Sequence, residues 1–314
     1  MQTERTFIDD LKHQYQHGGM TIRLIFINSI IFLALQILLV FGRLIGGSFE
    51  SLIAAVLPNI FSLNTDLGEF LMHPWGIITS IFAHFTVWHF LMNTLFLYFS
   101  GKMFEQLFDQ KRLLYTYIVG GIAGGFLEIL AHLIFPTLQN EKIPIVGASG
   151  SIMAIFGALA FHRPNLKVNL FGILPVRLII LAGFFVLTDL LSLGPNDLGE
   201  IDGTAHFAHI GGVIIGMVSV HNLYSSSNLI NRTQMIGDSL IRLFRNLFSS
   251  NKKLKVKKGG ATRGPKFKSD EDYNAEAKQR QLIIDKILDK ISKSGYDSLT
   301  KAEKEILFNQ SKNG

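Results

Sequence analysis

Gly147-Ala148-Ser149-Gly150 lies near the start of one apolar stretch, and a later apolar stretch carries His206-Phe207-Ala208-His209-Ile210-Gly211-Gly212. Both stretches are typical of membrane-spanning segments. A serine hydroxyl is a weak nucleophile until a base takes its proton, and histidine, with an ordinary pKa of about 6.5, can do so at neutral pH. The two stretches therefore predict a nucleophile and a base inside a bilayer.

Composition supports a membrane protein. Of the 314 residues, 48% are apolar and 11% aromatic. The long apolar runs end near His221, and the polar, basic remainder carries most of the net charge of +6. The absence of cysteine excludes disulfides, thiolate metal sites and a cysteine nucleophile, but leaves the redox compartment undetermined. Met1 to Met20 lacks the features of a secretory signal, so we expect the first apolar run to be a retained anchor.

Six segments approach the roughly 20 apolar residues that a span needs. They are Ile22 to Phe41, Ile77 to Phe99, Leu113 to Phe135, Ile145 to Phe161, Leu170 to Leu191 and Ala205 to His221. The fourth and sixth are short and rich in glycine, which is typical of helices that pack centrally in a bundle. The sequence thus predicts an all-α membrane protein with six transmembrane helices.

Loop charge predicts the orientation of these spans. Basic residues mark one set of loops: Lys12, Lys102 to Arg112, Arg163, Lys167 and the stretch after His221. The loops Ile45 to Pro74 and Leu193 to Thr204 carry acidic residues and neither lysine nor arginine. The positive-inside rule therefore places both termini in the cytoplasm, with Arg43 as a minor exception.

Ser149 and His209 would then lie at matching outer-leaflet depth on parallel helices. Small residues accompany each of them on one helical face: Gly150, Ala154, Gly157 and Ala158 beside Ser149, and Gly212 and Gly216 beside His209. Asp189 and Glu128 are the candidate acids for a third member. A serine and histidine dyad is the more economical interpretation.

The second span adds His89 and Asn93, which are four residues apart and share a helical face. Acyl transfer also needs donors aimed at a developing oxyanion, each contributing about 3 to 4 kcal/mol in a water-excluded site. His89, Asn93 and the backbone amide of Ser149 could supply them.

These residues together resemble the rhomboid intramembrane serine proteases. The resemblance covers about residues 20 to 222 and also includes Gly101, Glu105 and the pair Asp189-Leu190. It implies that Ser149 is the nucleophile, His209 the general base, and His89 and Asn93 the oxyanion side chains. One departure is that Trp75 is followed by Gly76, where the family often has arginine, and this puts the hydrogen bonding of the first outer loop in doubt.

The implied reaction is hydrolysis of a peptide bond in or near the transmembrane helix of a single-span substrate. No cofactor is expected. The expected location is the bacterial inner membrane. The alternative is a catalytically silent rhomboid-like protein that binds membrane clients; the retained serine and histidine disfavour it. A six-span transporter is a more distant possibility.

Other residues have structural explanations beside functional ones. A glycine-flanked serine in a helix more often indicates packing, and histidines inside membranes more often bond backbone carbonyls; their joint occurrence here favours catalysis. A supporting role around the site is expected for His84, Gly147, Gly150, His206 and Gly212. A metal cluster of the histidines is disfavoured because no carboxylate is expected on the same faces. Gly120 to Gly125 is interpreted as helix packing.

The remaining chain predicts a cytoplasmic tail in several parts. After residues 1–20 and the rhomboid domain, 21–222, come an amphipathic interfacial helix at 223–250, a basic linker at 251–270 and a small helical tail at 271–314. The positive charge of the linker favours binding to anionic lipid, and binding to nucleic acid is the weaker alternative. In the tail, apolar residues at helical spacing predict one helix ending at Gly295, and a capping box, Thr300 to Glu303, predicts the start of a second. They resemble tails of rhomboids from the Bacteroidetes group, and their partner is unknown.

Overall fold

The computed structural model describes residues 6–139, 144–170, 173–194, 203–248 and 283–312. The predicted basic linker and the middle of the Leu193 to Thr204 loop lie outside these residues. The chain forms two compact units, Met1–Ser250 and Asn251–Gly314, which are described separately.

The first unit is built from helices joined by two short antiparallel ribbons. Its helices are α1 (Phe7–His17), α2 (Gly19–Ile45), α3 (Gly47–Phe61), α4 (Leu67–Met72), α5 (Gly76–Thr79), α6 (Val87–Leu107), α7 (Gln110–Ile134), α8 (Ser149–His162), α9 (Leu178–Leu191), α10 (His206–Val220) and α11 (Leu229–Phe248). A 3-10 turn, Ser80–Phe82, follows α5. Strands β1 (Leu63–Asn64) and β2 (Pro144–Ile145) pair with each other, as do β3 (Lys167–Leu170) and β4 (Leu174–Arg177). The architecture is all-α, as predicted.

Helix α8 lies at the centre of the bundle, packed between α7 and α10. Small residues allow this packing: a side chain at Gly212 would collide with the carbonyl of Gly150, and one at Gly216 with the carbonyl of Ala154. Gly120 of α7 likewise faces Ala154. The predicted small-residue contact between the fourth and sixth spans is therefore confirmed, as is the packing role of the α7 glycines.

Length and composition qualify two of the described helices, α2 and α7, as membrane-crossing. The segments Gly76–Phe82 and Val87–Leu107 qualify only as a bent pair, and α3, α8, α9 and α10 are shorter apolar helices. The count of six spans remains a prediction.

The second predicted span, Ile77 to Phe99, is wrong as a continuous helix. The chain leaves helical geometry after Phe82 and turns by 85° before α6 begins at Val87. The hydroxyl of Thr86 accepts a hydrogen bond from the amide of His89 and caps α6. A polar N-cap residue stabilises a helix start, so the helix begins here although the apolar run is longer.

The fifth predicted span, Leu170 to Leu191, is also too long. Its first part belongs to the β3–β4 ribbon, in which Val168 pairs with Val176, and the helix starts only at Leu178. Three of the described helices lie outside the predicted spans and were not expected: α1 in the N-terminal segment, and α3 and α4 in the first outer loop. Apolar length predicts neither the fold of a loop nor that of a polar terminus.

Helix α2 is fastened to the rest of the unit by polar side chains. The carboxylate of Glu105 accepts from the amides of Met20 and Thr21, at 2.5 and 3.1 Å, and so caps the start of α2. Farther along, Gln36 Nε2 donates to the carbonyl of Phe85 at 2.9 Å, inside the interruption before α6. These bonds give Glu105 a structural role and support the interrupted segment.

Helix α11 begins at Leu229, six residues into the segment predicted as an amphipathic helix, 223–250. Arg112 of α7 holds it in place, donating to the carbonyl of Ser219 at 2.8 Å and to Asn231 Oδ1 at 2.6 Å. Its interfacial location remains a prediction.

In the second unit, residues 283–294 form α12 and Lys301–Lys312 form α13. Gly295, with φ of 77°, ends α12 as predicted. The predicted capping box is confirmed: Thr300 N donates to Glu303 Oε2 at 2.7 Å, and Glu303 N donates to Thr300 Oγ1 at 3.3 Å. Lys290 also pairs with Glu303 at 2.9 Å.

Candidate active site

A cavity of about 840 Å³ opens between α6, α8, α9 and the start of α10. Ser149, His209, His89 and Asn93, the four residues singled out for chemistry, all line it, together with Asp189. Apolar side chains form much of the remaining wall: Trp88, Met92, Phe96, Ile152, Met153, Phe156 and Phe185. The structure thus brings the predicted site residues to one space that could hold an extended peptide segment.

Ser149 is the first residue of α8. The helix has no side-chain cap at its start, so the backbone amides of its first turn lack intrahelical partners. The preceding Gly147 has φ of 118°, and a side chain there would place a carbon 2.6 Å from Cε1 of His89. Glycine at 147 therefore allows both the turn into α8 and the close approach of His89.

His209 lies in the first turn of α10 and bonds to Asp189 of α9. Its Nδ1–H donates to Asp189 Oδ1 at 2.9 Å, and the aspartate side chain is buried. The carboxylate can only accept, so this bond places the imidazole hydrogen on Nδ1 and leaves Nε2 as an acceptor. The dyad expected from sequence therefore has an acidic partner in the structure.

His206 binds the same carboxylate oxygen, with Nδ1 at 2.8 Å from Asp189 Oδ1. The ligand atoms of Asp189, His206 and His209 all lie within 4.8 Å of one another. A carboxylate does lie beside these two histidines, so the reason given for disfavouring a metal cluster does not hold. Helix α9 supplies the carboxylate from outside the histidine-bearing helices, so helical spacing within one span did not reveal it.

Glu128, the other candidate acid, has a different role. Its Oε2 accepts from the amide of Ala208 at 2.9 Å, in the first turn of α10. A buried carboxylate at a helix start satisfies a free amide and complements the helix dipole. Glu128 thus fixes the helix turn that carries His209.

His89 and Asn93 face the cavity from α6, and a structural bond accompanies their proposed role. Asn93 Nδ2 donates to the carbonyl of His89 at 2.9 Å, which uses one of its two N–H groups. His84 lies behind them: its ring packs edge-on against His89, with centroids 5.1 Å apart, and its Nε2 accepts from Ala148 N at 3.4 Å. His84 therefore supports the turn before Ser149 from behind.

No hydrogen bond joins Ser149 to His209 among the side chains that the structure describes. Catalytic hydrogen bonds are often long without substrate and tighten when it binds. The arrangement holds the candidate nucleophile, base and oxyanion donors around one cavity, and the contact between Ser149 and His209 would still have to form.

The first outer loop is held without the arginine of the family pattern. Trp75 Nε1 donates to the carbonyl of Asn59 at 3.3 Å, and Thr79 Oγ1 donates to that of Ile60 at 2.7 Å. A side chain at Gly76 would collide with the carbonyl of Ser62. Glycine here lets the loop backbone approach closely.

Comparison with known families supports the resemblance. A model described as the rhomboid domain matches residues 72–226, and a model described as a family of unknown function, DUF6576, matches residues 268–313. The second match covers most of the predicted helical tail and assigns it no role.

Curated relatives give the same picture. The chain is 28% identical over 190 residues to the rhomboid protease GluP of Bacillus subtilis, covering 59% of this chain and 32% of the relative. It is 26% identical over 153 residues to the mitochondrial RHOMBOID-like protein 12 of Arabidopsis thaliana, and the match covers 46% of this chain and 44% of the relative. It is 30% identical over 148 residues to the mitochondrial rhomboid protein 1 of Saccharomyces cerevisiae, and the match covers 46% of this chain and 40% of the relative. The matched region thus spans less than half the length of each of these relatives. With the helical bundle and its apolar helices, these matches show that the chain is an integral membrane protein of the rhomboid family.

Proposed function

We propose that this protein is an intramembrane serine endopeptidase that cuts single-span membrane proteins in or near their transmembrane segments. The observation that carries the proposal is the bond from His209 Nδ1 to Asp189 Oδ1, at 2.9 Å, beside a cavity that Ser149 also lines. The bond leaves Nε2 of His209 as the free base nitrogen, which is what a serine nucleophile requires.

The reaction would follow the usual course of acyl transfer. His209 Nε2 takes the hydroxyl proton as Ser149 Oγ attacks the scissile carbonyl, and then returns it to the leaving amine. The Ser149 amide, His89 and the second N–H of Asn93 would stabilise the oxyanion. Water must reach the cavity to release the acyl group, and its polar lining around Asp189 and His209 suits this step.

Family membership supports the proposal, since GluP is described as a rhomboid protease. We further propose that the protein lies in a bacterial inner membrane with both termini in the cytoplasm, on the strength of the loop charges. In that orientation Ser149 and His209 lie towards the outer leaflet, and α11 lies at the inner surface. The partner of the tail is not proposed.

The test uses purified full-length protein in detergent with a model transmembrane substrate and, separately, a fluorophosphonate probe. Wild type is expected to cleave and to be labelled, while Ser149→Ala and His209→Ala abolish both. Ser151→Ala is the matched control, because Ser151 is a buried serine two residues along the same helix and does not line the cavity. It should remain active.

Two outcomes would contradict the proposal. Cleavage that persists in Ser149→Ala would exclude this serine as the nucleophile. A folded wild type that binds transmembrane segments but neither cleaves them nor reacts with the probe would instead support the catalytically silent, client-binding alternative.

A further inference from the structure

Asp189, His206 and His209 bring one carboxylate oxygen and two imidazole nitrogens close together. The two Nδ1 atoms lie 2.8 and 2.9 Å from the same carboxylate oxygen, and all three ligand atoms lie within 4.8 Å of one another. Two imidazole nitrogens and one carboxylate oxygen are a donor set that suits Zn²⁺. Because the side chains come from α9 and from the first turn of α10, packing of the bundle assembles the set.

The position is also accessible. Asp189 and His209 line the cavity, and the side chains of Asp189, His206 and His209 are 9, 11 and 17% exposed. An ion could therefore enter from the cavity, while its ligands stay largely shielded from competing water. Three protein ligands would leave a fourth tetrahedral position open towards the cavity.

The two nitrogen–oxygen spacings need little adjustment to accept an ion. Zn–N and Zn–O distances of about 2.0 to 2.2 Å at tetrahedral angles put ligand atoms about 3.3 to 3.5 Å apart. The nitrogen–oxygen pairs are at 2.8 and 2.9 Å because hydrogens bridge them. Each would open by roughly half an ångström, within the reach of side-chain rotation.

We propose that Asp189, His206 and His209 form a Zn²⁺-binding site, and that an ion bound there switches off the base. A neutral imidazole carries one ring hydrogen. When Nδ1 of His209 binds the ion, that hydrogen must reside on Nε2, so Nε2 can donate but can no longer take the proton of Ser149. No proton is gained or lost; the hydrogen only changes nitrogen.

The binding site does not depend on the proposed function, whereas the inhibition rests on it. The test therefore measures the two separately. Tag-free, metal-stripped protein in detergent is titrated with Co²⁺, whose visible absorption reports tetrahedral nitrogen and oxygen ligands, and then with Zn²⁺ as competitor. We expect wild type and Ser149→Ala to bind one ion with equal affinity, and His206→Asn and Asp189→Asn to bind at least tenfold more weakly.

His162→Asn is the matched control, since His162 ends α8 and does not line the cavity. It should bind as wild type does. Absence of tetrahedral Co²⁺ absorption in folded wild type at millimolar metal would overturn the site. This measurement uses the wild-type protein alone, so it does not depend on the folding of any variant. Equal affinity in His206→Asn would also overturn the site.

Inhibition is read from fluorophosphonate labelling and cleavage across the same Zn²⁺ series. The half-inhibitory concentration should match the binding constant. If wild type binds the ion but is inactive without it, the proposed protease function fails and the metal site stands. If it is active and remains so when saturated with Zn²⁺, the switch is excluded.

Discussion

Nδ1 of His209 lies 2.9 Å from Oδ1 of Asp189, and this contact joins the first turn of α10 to the last turn of α9. A hydrogen bond to a charged group contributes about 1.5 to 3 kcal/mol. The contact fixes both the rotation and the tautomer of the imidazole, so the carboxylate can influence the reaction without touching substrate.

Replacing Asp189 with asparagine should therefore lower kcat/KM by roughly 10- to 100-fold, the factor that corresponds to such a bond. The effect should fall on kcat, with KM little changed, because the amide can hold the wrong tautomer of His209. Steady-state cleavage kinetics provide the measurement. Leu190→Ala, an exposed neighbour on the same helix, is the control; an equal loss in both variants would point to damage to α9 instead.

Removing the carboxylate of Glu128 should loosen the start of α10. Glu128→Ala leaves the Ala208 amide buried without its acceptor, at a cost of about 1 to 3 kcal/mol. Glu128→Gln keeps a carbonyl oxygen and should lose less. Thermal unfolding in detergent ranks the two, and the reverse order would show that the carboxylate does not act as an acceptor here.

Adding a methyl group at Gly212 should force α8 and α10 apart, because its Cβ would collide with the carbonyl of Gly150. A backbone oxygen in a packed helix cannot move cheaply, so Gly212→Ala should lose about 1 to 3 kcal/mol of stability and most of any activity. Gly183→Ala in α9 is the matched control, since no atom in the described part of the chain lies within 4 Å of the added carbon. Its stability should be unchanged or slightly raised.

Gly147 can be tested for two requirements at once. Gly147→Ala must adopt φ near 118°, and its new methyl group also meets the ring of His89. Gly194→Ala has only the backbone strain, at φ of 87°, because no atom of the described residues lies within 4 Å of its added carbon. The difference between the two variants in melting temperature isolates the contact with His89. We expect Gly147→Ala to be clearly less stable; equal melting temperatures would mean that the ring moves aside.

The tail should loosen in acid. The pKa of Glu303 is lowered to about 2, first by the amide of Thr300 and then by Lys290 and the Thr300 hydroxyl. A lowered folded-state pKa means that its stabilisation is present above the ordinary value near 4.5 and is lost as pH falls towards 2. Because the chain lacks cysteine, Ile306→Cys can carry a single spin label. Label mobility should rise between pH 5 and 2, and Glu303→Gln should remove most of this dependence.

Sequence alone located the candidate reacting groups but not all of their partners. Ser149 and His209 were identifiable because small residues and polar groups stand out inside apolar runs. The partnership of Asp189 was not, because apolar length fixes depth and not the rotation of a helix about its axis. The start of α6 at Val87 was not predicted, because the continuous apolar run from Ile77 to Phe99 hides the cap that Thr86 provides.

The bond between Gln36 and the carbonyl of Phe85 bears on where the working unit begins. The matched rhomboid domain starts at residue 72, but the interruption before α6 depends on a side chain from α2, and Asn28 of α2 also donates to the hydroxyl of Tyr117 at 3.2 Å. A fragment cut at the domain boundary would remove both donors, and an unpaired polar group in the hydrocarbon region of a membrane costs several kcal/mol. The shortest fragment of this protein that keeps the native fold should therefore include α2 from Gly19 onward.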